Sequence, residues 1–414
     1  MPHIKPFCAL KPAVHLQPLV VTRPLENYSM GEARLIASEN KCTFLHLINP
    51  ELENPYLRGS REELVYKKIS ENLEGFLEQQ FLVKDNKPAI YVYRVKHNGL
   101  VQTGIWTLTH IDEYLDGRIK KHEATVARRE TLLADYLQQT GIDANPVLIT
   151  YHPDHIIDAI TNKYTSLKPD LDFTFADGTI HQVWTICDIQ DIKDLVSVFD
   201  GISSVYIADG HHRVASMAKM ALQKQALNNE RHNGTEAYNY FTTVYMNTNE
   251  VKILEYNRLV RDIGDWEPEL FIEALKQSFS VQESAQIVKP DHLHKIGMYF
   301  NTRWYVLEPK KEIYDENDPV KILDVSIFQD FVLTPILGIK DPRTDARITF
   351  EGGKTSVSEL QLMVDNGLYT LAFTFFPVSI DQLIAVADAN GIMPPKSTWV
   401  EPKFLVGVLT NCFS

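Results

Sequence analysis

The run Val205-Tyr206-Ile207-Ala208-Asp209-Gly210-His211-His212-Arg213 constrains this chain more than any other stretch. Ser204 to Ala208 reads as a buried strand. Asp209-Gly210 follows as a turn, and a helix then runs from His211 to about Asn228. Val214, Met217-Ala218 and Ala221-Leu222 mark the buried face of that helix. The first turn of a helix has backbone N–H groups without intrahelical acceptors and carries the positive end of the helix dipole. Glycine at the junction lets a phosphate approach the backbone, and Arg213 can donate to its oxygens. His211 and His212 add donors, and Asp209 can hold a metal ion or orient a hydroxyl. The plainer alternative is that Asp209 caps the helix and the histidines face solvent.

Elements of both kinds recur along the chain. Helices are expected at Glu32–Asn40, Glu62–Gln80, about Thr125–Gln139 (stopped by Gly141) and Val378–Asn390, and one ends at Leu195–Phe199. Val325–Leu337 is helical in pattern but interrupted by Pro335. Strands are expected at Phe44–Ile48, Val147–Tyr151, Phe241–Met246 and Leu368–Phe376. Ala89–Val95 and Leu100–Leu108 flank Asn98-Gly99 as a hairpin, and Ile296–Phe300 with Trp304–Leu307 form another. This alternation gives a mixed α/β (α+β) fold class. Three segments are expected: a mixed N-terminal one at 1–88, a phosphate-binding one at 89–265 and a C-terminal α/β one at 266–414. No internal repeat is visible.

Three further clusters carry candidate chemistry. Ile119-Lys120-Lys121-His122-Glu123, with Thr125, Arg128 and Arg129 behind it, sets a carboxylate and an imidazole among cations. Lys121 can bind a phosphate, and Glu123, with His122 beside it, can act as a general base. A charged, solvated helix start fits the same residues. No second histidine follows His122-Glu123 at helical spacing, so this is not a zincin motif. Asp341-Pro342-Arg343-Thr344-Asp345-Ala346-Arg347 and Met393-Pro394-Pro395-Lys396-Ser397-Thr398-Trp399 are polar loops. Their Arg343 and Lys396 suit an anion, and both loops also suit structural turns. Gly353-Lys354-Thr355 mimics the end of a P-loop, but the first glycine of that motif would fall at Ile348.

Fifty-four Asp and Glu outnumber 41 Lys and Arg, for a formal charge of −13, so broad nucleic-acid binding is disfavoured. Cys8, Cys42, Cys187 and Cys412 form no C-x-x-C pair and read as unpaired thiols. The start of the chain lacks a secretory apolar region, and no run approaches the ~20 apolar residues of a membrane span. A cytoplasmic protein without membrane contact is the expectation.

Ile4-Lys5-Pro6-Phe7, Phe44-Leu45-His46, Gln102-Thr103-Gly104, Ile119 to Glu123, Ile207 to Arg213, Asp341 to Asp345 and Met393 to Trp399 resemble stretches of a bacterial and archaeal family. That family is known only as a domain of unknown function, number one thousand and fifteen. The strand, glycine, His-Arg and helix arrangement of the middle segment further resembles the ParB/sulfiredoxin superfamily, where the equivalent turn binds nucleotide phosphates. Sulfiredoxin has its catalytic cysteine where this chain has His211, so sulfinic-acid reduction is not expected. The archaeal free-serine kinases of that superfamily look closer. On that resemblance Glu123 matches the catalytic carboxylate, and Asp209 to Arg213 the phosphate site.

The resemblance implies a phosphotransferase or phosphohydrolase acting on a small metabolite such as serine or phosphoserine. ATP or ADP would sit on Gly210 to Arg213, with Mg2+ held through Asp209. The rival readings are a nucleotide-sensing protein without turnover and, against the acidic balance, a DNA-binding regulator.

Overall fold

The computed structural model describes residues 2–57, 62–228 and 231–413. The chain divides into two compact units. The first comprises Met1–Lys120, Thr125–Val251 and Pro402–Ser414, and the second Lys121–Ala124 and Lys252–Glu401. This grouping differs from segments at 1–88, 89–265 and 266–414, because backbone pairing joins residues far apart in the sequence. Ile4–Lys5 hydrogen-bonds alongside Leu108-Thr109, Phe7 bridges to Ala89, and Thr410 near the far end bridges to Leu10.

The first unit is built on a nine-stranded sheet. Its strands are β1 (Ile4–Lys5), β2 (Ile90–His97), β3 (Leu100–His110), β4 (Ile119–Lys120), β5 (Val147–Tyr151), β6 (Leu171–Thr174), β7 (Ile180–Ile186), β8 (Val205–Asp209) and β9 (Tyr240–Asn247). They lie in the order β4-β8-β5-β9-β3-β2-β7-β6, with β1 on β3. The β8–β4 and β9–β5 pairs are parallel and the others antiparallel. The mixed α/β expectation therefore holds. The β2–β3 hairpin turns at Asn98-Gly99, both with positive φ, as an Asn-Gly turn demands.

Helices α1 (Ala127–Thr140), α2 (His155–Thr165), α3 (Ile189–Gly201) and α4 (His211–Asn228) supply the rest of the main core. Ile149, Ile207 and Phe241 of the sheet are buried in one cluster with Leu137 of α1, Ile160 of α2, Phe199 of α3 and Met217 of α4. Asp154 and Asp188 cap α2 and α3 through their side chains, and Gly141 ends α1 in a left-handed conformation.

The second unit contains an antiparallel six-stranded sheet. Its strands are β10 (Tyr256–Val260), β11 (Phe279–Ser284), β12 (Ile296–Phe300), β13 (Arg303–Pro309), β14 (Ile348–Gly352) and β15 (Leu371–Thr374), in the order β11-β13-β12-β15-β10-β14. The hairpin expected around Asn301-Thr302-Arg303 is the β12–β13 pair. Val325–Leu337 resolves into an α-helical stretch, Asp324–Phe328, followed by a π-helical turn, Gln329–Leu333.

Two expected strands need correction. Phe44–Ile48 is not a strand, since Leu45–Ile48 is a short helix. Leu45 packs with Ala33 and Ala37 while Phe44 and Leu47 pack with Val20 and Phe76, so the segment buries two sides. A short apolar run cannot tell that from a buried strand. Leu368–Phe376 is a strand only over Leu371–Thr374. Gly367 and Leu368 instead close the preceding helix, donating to Val364 and Met363.

Candidate functional site

The Asp209–Arg213 turn is assembled by β8 and α4 of the first unit. The register of β8 against β5 shifts between Ile207 and Asp209, a bulge of the kind that re-aims a side chain at the end of a strand. Gly210 follows with φ +102°, a conformation that side-chain-bearing residues rarely adopt. A Cβ there would also lie 2.7 Å from Nε of Arg213, so glycine lets the guanidinium fold back over the turn. The Arg213 and Val214 N–H groups both donate to the Gly210 carbonyl, which starts α4.

Arg213 is fixed by two partners. It donates through Nη1 to the Asn145 amide oxygen and through Nη2 to Oδ2 of Asp209, at 2.9 Å. A guanidinium has five N–H donors, so three remain for a ligand. A second cation comes from the far end of the chain, where Lys403 Nζ stands 3.5 Å from Oδ1 of Asp209. Burial raises the Asp209 carboxyl, but Lys403, Arg213 and His211 overcome that and hold it at about 2. Asp209 is therefore a carboxylate across the physiological range.

The two histidines separate. His211 is buried, 4% exposed, which removes it from the solvent-facing alternative. His212 accepts the Val126 N–H on Nε2 at 3.0 Å and ties the first turn of α4 to the start of α1. An imidazole accepting there carries its proton on Nδ1. Close by in the sequence, Asp143 is buried and accepts the Thr242 N–H at 2.7 Å. Burial pushes this carboxyl up to about 6, against Thr242 and the charge of Arg213, which lower it.

Lys121, His122, Glu123, Arg343 and Lys396 belong to the second unit. There the His122 carbonyl accepts the Met393 N–H at 2.8 Å, and Glu123 contributes charge at Arg343. Arg343 grips Asp341 with Nε at 2.9 Å and Nη2 at 3.1 Å. Arg347 grips Asp345 in the same way, so the loop contains two Asp-x-Arg clamps. Lys396, at φ +59°, has its ammonium 5.8 Å from the Tyr256 ring centre. Its carbonyl accepts from the buried Arg258 at 3.2 Å.

The structure thus joins Asp209, Gly210, His211, His212 and Arg213 in one unit, and places the other five candidates in the second. Asn145, Asp143 and Lys403 were not singled out by the sequence. Asp143 and Asn145 shortly precede a strand, a weak signal, while Lys403 lies 194 residues from its partner and gives none.

All four cysteines are free. Burial pushes the thiols of Cys42, Cys187 and Cys412 up, the last to about 11, opposite to what an attacking thiolate needs. Among the described residues no group of three or more His, Cys, Asp or Glu could hold a metal ion. No helix among them is long and apolar enough to cross a membrane.

Fold and site together define a mixed α/β protein with a cation-lined helix start at the end of a sheet strand. The chain belongs to the family described as "Protein of unknown function (DUF1015)", whose sequence profile matches residues 4–326. No curated protein matches it. Among solved structures it is similar to a free serine kinase in complex with AMP, at 12% identity and a TM-score of 0.38, over 73% of this chain and 92% of that one. A conserved hypothetical protein from Pyrococcus furiosus gives 13%, 0.36, 72% and 91%. SbnI with a C-terminal truncation from Staphylococcus aureus gives 11%, 0.37, 73% and 87%. At these scores the likenesses carry no argument about ligand or chemistry.

Proposed function

We propose that the chain binds the phosphate of a nucleotide or small metabolite on the Asp209–Arg213 turn and transfers or hydrolyses a phosphoryl group there. One observation carries the reading. Arg213 is held at a helix start by Asp209 and Asn145 with three donors unspent, beside a second cation, Lys403, and over a glycine. A guanidinium fixed in this way loses little freedom when it meets a phosphate, and its donors match the oxygens of the anion. Gly210 keeps the approach open.

Asp209 orients the two cations in this scheme. A carboxylate held at about 2 is a poor proton acceptor near neutral pH. It is also a poor seat for magnesium, because Arg213 and Lys403 stand against its two oxygens. No step here runs through a metal. The proton acceptor for an attacking serine hydroxyl or water is Glu123, which enters from the sequence resemblance alone. ATP or ADP as phosphoryl donor and serine or phosphoserine as substrate enter on the same ground.

The test is turnover of ATP or ADP with serine, and of phosphoserine alone, with magnesium varied. Glu123→Gln and Asp209→Asn are then compared with wild type for rate and binding. Glu123→Gln should lower the rate ~10²–10⁴-fold and leave binding nearly unchanged. If neither variant alters the rate, the phosphoryl-transfer reading is wrong.

A further inference from the structure

The second unit contains a cleft of about 490 Å³ that the reading above does not use. That volume is in the range of small-molecule sites. Three cations line it: Lys321, Lys340 and Arg343. The clamp on Asp341 takes Nε and Nη2 of Arg343 and leaves both Nη1 donors for another acceptor. Lys321 stands 3.8 Å from Asp318, whereas Lys340 enters none of the ion pairs found among the described residues. Two carboxylates also line the cleft. Asp341 is engaged by Arg343, and the Asp330 carboxyl is raised by burial and lowered by the charge of Lys321.

The floor of the cleft carries a second, independent sign. Ser326 lines it and is 4% exposed, yet its hydroxyl is buried with no hydrogen-bond partner among the described residues. A buried hydroxyl left unpaired gives up its bonds to water without replacement, and a native fold rarely accepts that without a use for the group. The wall beside it is the π-helical turn Gln329–Leu333, closed by the Thr334 N–H reaching back to the Gln329 carbonyl. Such turns recur at functional sites because they re-aim side chains. The opposite rim is apolar, from Ile392 to Pro395.

We propose that this cleft binds a phosphorylated small metabolite. Lys340, Lys321 and the Nη1 face of Arg343 hold the phosphate, Ser326 hydrogen-bonds the ligand, and the Ile392–Pro395 rim packs on its carbon skeleton. Two ammonium groups and a half-engaged guanidinium suit a compact dianion. The proposal does not depend on the Asp209–Arg213 turn.

The experiment is calorimetric titration of the full chain with glycerol 3-phosphate, inorganic phosphate and acetate. It is done in wild type and in Arg213→Ala, which removes the chief donor of the other site. Glycerol 3-phosphate should still bind the Arg213→Ala chain. In that background Lys340→Ala, which breaks no ion pair, should weaken binding about tenfold or more, and Ser326→Ala several-fold. Inorganic phosphate should bind more weakly and acetate not measurably. If the Arg213→Ala chain binds no glycerol 3-phosphate, or binds it with an affinity that Lys340→Ala leaves unchanged, the proposal fails. Acetate binding as well as the phosphate ester would overturn the choice of phosphate. Turnover at the first unit's turn is read separately, so either proposal can fail alone.

Discussion

Asp209 in the first unit and Asp324 in the second are both drawn out of water, and they end in opposite states. Asp324 is 3% exposed and receives only the His294 N–H, at 3.0 and 3.2 Å to its two oxygens. Burial lifts its carboxyl to about 7 against that one donor. Asp209 is partly desolvated too but meets Lys403, Arg213 and His211, and is held at about 2. The difference lies in nearby cations as well as in depth, since the Asp209 side chain is 36% exposed. Desolvation disfavours the charged form, and opposite charges within a few ångströms restore it. Cations brought together around one carboxylate from residues far apart in sequence are what the proposed anion site rests on. Asp324, without them, stays raised.

The largest expected effect follows from the sign of the Asp324 shift. A carboxyl whose folded pKa lies above its unfolded value keeps a proton that the unfolded chain releases. Stability from this group is therefore full below pH ~4 and falls as the pH rises to about 7, by about 4 kcal/mol from the shift. Asp324→Asn should match wild type near pH 4 and become the more stable protein by pH 8, as measured by urea unfolding across that range. Parallel stability curves would mean that Asp324 is ionised at no cost. Asp209 acts with the opposite sign, its contribution being present above pH ~4 and lost as the pH falls through about 2. Since its side chain is 36% exposed, that contribution is screened to about 1 kcal/mol or less.

A smaller effect sharpens the other half of the comparison. Lys403→Met removes one of the two cations and keeps much of the side-chain length. ADP affinity should drop roughly three- to tenfold, in line with one exposed charge-assisted contact. Affinity that survives Lys403→Met unchanged would reduce the lysine to a structural partner of Asp209.

Much of the architecture was legible because local chemistry dictates it. Asn98-Gly99 fixed a hairpin, Gly141 a helix end, and the apolar stretch before Asp209-Gly210 a strand feeding a helix. Ser29 with Glu32, Ser356 with Glu359 and Ser379 with Gln382 form capping boxes, so the start of the helix at Val357–Asp365 also had a local signal. The Phe44–Ile48 run was misread because its length and hydrophobicity suit either a strand or a short helix, and only distant packing partners decide. The candidate site divides along the same line. Asp209 to Arg213 are contiguous and visible, whereas Asn145 and Lys403 reach Arg213 and Asp209 through tertiary folding that no spacing announces. Ser326 was hidden for a similar reason, since an unpaired hydroxyl is recognised only once its surroundings are known.

The Asp209–Arg213 turn is the proposed phosphate site of the first unit. Calorimetric titration of ADP into wild type and Arg213→Ala tests it, with near-UV circular dichroism confirming that the variant is folded. A fixed, charge-assisted contact is worth roughly 1.5–3 kcal/mol, so the variant should bind about tenfold or more weakly. A folded Arg213→Ala chain that binds ADP as tightly as wild type would contradict the claim and move the phosphate elsewhere.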